Sequence, residues 1–107
     1  MNKVRVLRLS GCPQCEALIP KLDALKIKYE SVDVGGYSKI ADDVERLIKV
    51  EIYPIVIIEQ SPITTYFFRA DDSYELGVRI VNEQTIKIGC ATTDAMVHLI
   101  QTTLNLK

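Results

Sequence analysis

Cys12 and Cys15 stand two residues apart with Pro13 and Gln14 between them, and they are the residues of this chain best suited to chemistry. Two thiols at that spacing can ligate a metal, close a structural disulfide or cycle as a redox pair. The flanking sequence bears on the choice. KVRVLRL (3–9) reads as a central strand, and Ala17, Leu18, Leu22 and Leu25 then recur at helical spacing, so Cys12 falls where a strand gives way to a helix. Unbonded N–H groups and the positive end of the dipole at a helix N-terminus favour a thiolate. Pro13 suits the first helical turn, where its missing N–H costs nothing, and it leaves the Gln14 and Cys15 amides free to point at the sulfur. Cys15, one turn further in, is close enough to form a disulfide and is expected to be the more shielded. The chemistry this predicts is attack by Cys12 on a substrate disulfide, a mixed disulfide, and release by Cys15.

The rest of the composition narrows the setting. Three cysteines in 107 residues are too few for a disulfide scaffold, so in a reducing compartment the pair reads as a metal site or a catalytic dithiol. With 48% apolar residues the chain can build one core without staples, which predicts a single domain over 1–107. A net charge of −1, with both signs interleaved, gives no basic stripe for nucleic acid. No apolar run approaches the ~20 residues that span a bilayer, and no signal segment follows Met1. A cytoplasmic protein is the expectation. A zinc site would need Cys12, Cys15, Cys90 and His98, but seven residues separate Cys90 from His98 and the histidine falls on the polar flank of the last helix with Asp94 and Gln101.

The elements that must position the pair can be read in order. After the first helix, which runs to about Lys26, YESVDV (29–34) is a second strand. SKIADDVERLIKV is a helix capped by Ser38, with Ile40, Ala41, Val44, Leu47 and Ile48 on one face. IYPIVIIEQ (52–60) is a buried strand with a proline at its entrance. This βαβαβ order predicts a first parallel pair. TTYFFRA (64–70) and QTIKIG (84–89) are strand-like, and the remaining sheet is expected to be antiparallel in character. Between them DDSYELGVRIVNE predicts a helical turn ending at Gly77 and a hairpin turning at Asn82–Glu83. Thr92 or Thr93 caps a last helix with Met96, Leu99, Ile100, Thr103 and Leu104 on one face. Pro20 lies mid-helix, where proline costs ~3 kcal/mol and kinks the backbone, so the fold must accommodate a bend there.

These features together resemble the thioredoxin and glutaredoxin superfamily, over nearly the whole chain apart from 60–83. CPQCEALIPKLDAL looks like the thioredoxin active-site helix, including a proline five residues after the second cysteine, while Pro13-Gln14 between the cysteines is similar to glutaredoxin sites. IKYESVDV is similar to the second glutaredoxin strand. Tyr53-Pro54 falls where the superfamily keeps a cis-proline facing the cysteines, and KIGCAT looks like the loop joining the last strand to the last helix. The resemblance implies a thioredoxin fold, an α/β mixed sheet of four or more strands flanked by helices, with extra β structure between the third strand and the last helix. It also implies a thiol-disulfide oxidoreductase acting in cell redox homeostasis and electron transport, with Cys12 and Cys15 catalytic and Pro13, Gln14, Tyr53, Pro54, Gly89 and Cys90 lining the substrate groove. Its expected partners are a disulfide-containing protein and an external electron donor, either a thioredoxin-reductase type flavoenzyme or glutathione. No bound cofactor is required, and a monomer is expected.

Departures from the pattern matter equally. There is no tryptophan before Cys12, and RVLRLSG (5–11) holds no acid, so the base that deprotonates Cys15 has no candidate in that strand. Leu9 stands where many glutaredoxins keep a lysine for a glutathione carboxylate, and Arg8, its neighbour, should face the other side of the strand. Gly89-Cys90 replaces a glutaredoxin-like Gly-Gly. Both changes weigh against glutathione recognition. A glutathione-dependent glutaredoxin, a non-catalytic thioredoxin-like adaptor and the zinc-binding domain are the competing readings. Cys90 itself has two: a small apolar residue closing the last helix on the sheet, or a thiol bordering the groove near Cys12.

Overall fold

The computed structural model describes residues 2–35, 38–70 and 76–104. Strand β1 (Lys3–Arg8) leads into helix α1 (Pro13–Ala24), then β2 (Glu30–Asp33), α2 (Lys39–Ile48), β3 (Ile55–Gln60), β4 (Ile63–Arg69), β5 (Gly77–Asn82), β6 (Thr85–Cys90) and α3 (Thr93–Thr103). The six strands form one sheet in the order β2-β1-β3-β4-β6-β5. β1 runs parallel to β2 and antiparallel to β3, and β3 is antiparallel to β4. This is the α/β thioredoxin-like architecture expected, with a hairpin added on the far side of β4.

The two faces of the sheet bury different residues because side chains alternate along each strand. Val4, Val6, Val56, Ile58 and Phe67 pack with Leu18 and Leu22 of α1 and with Met96, Val97 and Ile100 of α3. Leu7, Ile55, Ile57, Tyr66 and Phe68 pack on the opposite face with Ala41, Val44 and Ile48 of α2. β3 contributes to both faces, which is why Ile55–Ile58 reads as a continuous apolar run, whereas β1 buries Val4 and Val6 on one face and Leu7 on the other between charged residues. Caps set the helix starts: Ser38 Oγ accepts the Ala41 amide (3.3 Å) and Thr92 Oγ1 accepts the Ala95 amide (3.0 Å). Pro20 is accommodated inside α1 on its exposed side. No helix among the described residues is long and apolar enough to cross a membrane.

Two expectations need correction in the second half. β4 and β6 pair in parallel, Thr64 opposite Thr85 through Arg69 opposite Cys90, so the sheet beyond β3 is mixed. The chain leaves β4, returns as β5 on the outside and pairs that strand antiparallel with β6. The hairpin is present, but it turns at Glu83–Gln84, with the Gln84 amide donating to Asn82 Oδ1 (2.8 Å) and a register shift between Ile80 and Asn82. Asn82 folds its own side chain back onto the turn, moving the reversal one residue along. Gly77 opens β5, and the helical turn expected before it falls largely on 71–75, outside the described residues.

Candidate active site

The site is built where β1 ends. Gly11, at φ +77°, takes the left-handed conformation that turns the strand toward the helix, a geometry an L side chain would resist. The Cys12 amide then donates to the Leu9 carbonyl (3.3 Å), and Cys12 becomes the N-cap of α1 with Pro13 at the first helical position. Its sulfur accepts the Cys15 amide at 3.2 Å. An N-cap side chain normally offers oxygen to this amide; here a thiol sulfur performs the capping, so helix formation itself fixes its position. Cys12 is half-buried, Pro13 exposed, Gln14 half-buried and Cys15 buried, so Cys15 is the more shielded cysteine, as the sequence predicts.

Opposite the pair lies the entrance to β3. Tyr53-Pro54 is a cis peptide, and the Tyr53 carbonyl faces Cys12, whose Sγ–H donates to it at 3.8 Å. Tyr53 is itself held from α2, with its hydroxyl donating to a Glu45 carboxylate oxygen. Burial first, and then the Glu45 carboxylate, push the Tyr53 phenol above its ordinary pKa, so it stays a neutral donor. Glu45 was not anticipated from the sequence. The signal for it is an acidic residue among the half-buried positions of α2, one position from the apolar face.

Both cysteines are free thiols. The Cys15 thiol is pushed up to about 12, chiefly by burial and then by its hydrogen bond and charge interaction with Cys12, while the Leu9 backbone and Arg8 act in the opposite direction. Beside it, on the flank of α1 away from Tyr53, opens a groove of about 440 Å³ lined by Arg8, Leu9, Cys15, Glu16, Ile19 and Tyr29 among others. Arg8 does face the side of the strand opposite the α2 cluster, yet it lines this groove together with Cys15, whose side chain packs in the α2 cluster at the end of β1.

Gly89 and Cys90 do not border this site. Cys90 is 1% exposed and packs in the α1/α3 cluster, and Gly89 is buried between Phe68 of β4 and Gly77 of β5. β6, which ends in Gly89-Cys90, does not neighbour β3. β4 takes that place, so Cys90 lies two strand spacings, about 10 Å, from β3. The Cys90 thiol, pushed up to about 11 by burial against the lowering field of Arg69, closes α3 on the sheet. The four zinc ligands considered from the sequence are likewise dispersed, with Cys90 in the core and His98 exposed on α3. Among the described residues no three His, Cys, Asp or Glu side chains gather as a metal site requires.

A mixed sheet with helices on both faces, a Cys-x-x-Cys at the first helix start and a cis-proline opposite define the thioredoxin-like class. Within it, the glutaredoxin family profile matches residues 4–63, more than half of the chain, and the protein belongs to that family. The matched region runs from β1 through the start of β4 and leaves the β5–β6 hairpin and α3 outside it. No curated protein matches the chain significantly. Family membership supports a thiol-disulfide oxidoreductase function in general terms.

Proposed function

We propose that the protein reduces protein or small-molecule disulfides by dithiol exchange through Cys12 and Cys15. The observation that supports this most directly is the Cys12 sulfur at the helix cap, accepting the Cys15 amide and facing the Tyr53 carbonyl before Pro54. As a thiolate, Cys12 attacks one sulfur of the substrate disulfide; the substrate bond breaks, one substrate thiolate leaves and takes a proton from water, and Cys12 holds the other half. Cys15 loses its proton and attacks the Cys12 sulfur. The mixed disulfide breaks, a Cys12–Cys15 disulfide forms, and the second substrate thiol departs. Two electrons from outside restore the dithiol, and no bound cofactor takes part.

Tyr53 and Pro54 wall the side of Cys12 opposite the α1 groove, with the Tyr53 backbone available to an extended substrate crossing Cys12. Pro13 and Gln14 form the rim. As donor we favour a thioredoxin-reductase type flavoenzyme over glutathione, because the apolar Leu9 offers no charge to a glutathione carboxylate. In a disulfide-reduction assay Cys12→Ser should abolish turnover, while Cys15→Ser should trap a mixed disulfide visible by mass. Full activity in the Cys12 variant would overturn the mechanism. Partner binding without turnover in the parent protein would point to the adaptor reading. Turnover faster with glutathione and its reductase than with the flavoenzyme would reverse the choice of donor.

A further inference from the structure

Dithiol exchange leaves one step without a protein group to perform it: the buried Cys15 thiol must lose its proton. Among the described residues the buried side chains that carry oxygen are Thr65, Thr85 and the phenols of Tyr53 and Tyr66, none of them a carboxylate or a base. The apolar series of β1 that faces α1, Val4 and Val6, ends instead in a cation, Arg8. Its Nε donates to Ser31 Oγ of β2 at 2.6 Å, fixing the guanidinium beside the groove that Cys15 lines. No carboxylate pairs with it among the described residues, so its charge is not neutralised locally. Leu9, the next residue, presents its backbone to the Cys15 sulfur, which places that sulfur against the end of β1.

We propose that Arg8 is the positioning charge of the resolving step: it stabilises the Cys15 thiolate across the groove, and the Cys15 proton leaves to water in that groove rather than to a buried acid. This rests on the dithiol-exchange reading. The bonds balance, because Cys15–H yields a solvated proton, its electron pair forms the bond to the Cys12 sulfur, and the departing substrate sulfur takes the electrons of the broken mixed disulfide.

The timing suits the step. Of the influences that hold the Cys15 proton on, burial is largest and the Cys12 sulfur follows. Once Cys12 carries the substrate it is no longer an ionisable thiol, and its charge repulsion is gone; the field of Arg8 remains. The Leu9 backbone favours the thiolate more strongly than Arg8 does but brings no net charge, and the other charged groups around Cys15 do not substitute for Arg8. Glu16 lines the groove but is exposed and carries the wrong sign. The Tyr29 hydroxyl donates to Asp23, and from the α2 side Glu45 accepts the Tyr53 hydroxyl. On α3, Asp94 pairs with Lys21.

The two thiols can be timed separately by mixing the reduced protein with excess 4,4′-dithiodipyridine, a neutral disulfide whose attraction to the site does not depend on the Arg8 charge. A first release of thiopyridone, proportional to reagent, reports Cys12; a second, independent of reagent concentration, reports resolution, and Cys15→Ser identifies it by removing it. In Arg8→Gln the pH midpoint of the second phase should rise by about one unit, slowing it about tenfold at neutral pH. The first phase should be unchanged, and Arg8→Lys should restore the parent profile. An unshifted second phase in Arg8→Gln, an equal shift in Arg8→Lys, or slowing by Glu16→Gln in place of Arg8→Gln would each overturn the role. A parent protein with no first phase would defeat dithiol exchange itself and this role with it.

Discussion

The junction of β1 with α1 and that of β6 with α3 are alike in outline. Each turns a strand of the same sheet into a helix, each has a side chain capping the third helical amide, and each carries a buried thiol. At the first junction the cap is Cys12, with its sulfur 3.2 Å from the Cys15 amide; at the second it is Thr92, with its oxygen 3.0 Å from the Ala95 amide. Burial is the leading cause that raises both Cys15 and Cys90, to about 12 and about 11. What separates them is neighbourhood. Cys15 has a second sulfur at the cap, the Leu9 backbone and an open groove, whereas Cys90 is enclosed with Phe67, Met96 and Ile100. A cysteine that is the cap can be both fixed and reached; one two residues before the cap is core.

The largest test of this contrast is catalytic. Cys12→Ser should reduce disulfide exchange to the uncatalysed rate, and Cys90→Ala should leave it within about twofold, since exchange needs two thiols and Cys90 is enclosed in the α1/α3 core. Loss of turnover in Cys90→Ala with a native melting temperature would break the comparison. Next comes access. Under native conditions iodoacetamide should label Cys12 at least about a hundredfold faster than Cys90, which waits for opening of the core. Peptide mapping over time reads this directly, and comparable rates would place Cys90 at a surface after all.

Most of the first half was legible in the sequence because its signals are local. The apolar spacing of Leu18 and Leu22, the Ser38 cap and the buried run Ile55–Ile58 each declare their element within a few residues, and the cap position of Cys12 follows from the strand that ends before it. Strand order is different, because it depends on which distant strand reaches the β3 edge first. β4 does, and its parallel pairing with β6 carries Gly89 and Cys90 away from the groove although KIGCAT does join the last strand to the last helix. Arg8 shows an intermediate case. Alternation along β1 puts it on the face away from the α2 cluster, but that it shares a groove with Cys15 depends on where α1 lies across the end of the strand.

A pH experiment should make the two junctions behave alike, since burial leads in both. The folded-state pKa of each thiol is raised from 9.0, so the associated stability is fully present below about pH 9 and is lost as pH rises toward about 12 for Cys15 and about 11 for Cys90. The loss is at most about 1.4 kcal/mol per pH unit for each thiol. Melting temperatures of the reduced protein should therefore decline between about pH 8.5 and 10, and Cys15→Ala and Cys90→Ala should each flatten part of the decline. A parent curve that stays level over this range would show that burial does not hold these thiols neutral.

The smallest expected effect separates the caps from the chemistry. Thr92→Ala removes the oxygen that accepts the Ala95 amide and should cost about 1 kcal/mol, lowering the melting temperature by roughly 4–8 °C for a domain of this size. Thr92→Ser keeps an acceptor and should cost little. At the other junction serine is a better cap than sulfur, so Cys12→Ser should melt at or slightly above the parent temperature even as it abolishes exchange, while Cys12→Ala should lose about as much as Thr92→Ala. These four variants, melted side by side, tell a lost nucleophile from a lost helix start. If Cys12→Ser were destabilised as much as Cys12→Ala, the Cys15 amide would not depend on a cap acceptor at residue 12, and the claim that helix formation itself fixes the reactive sulfur would fall.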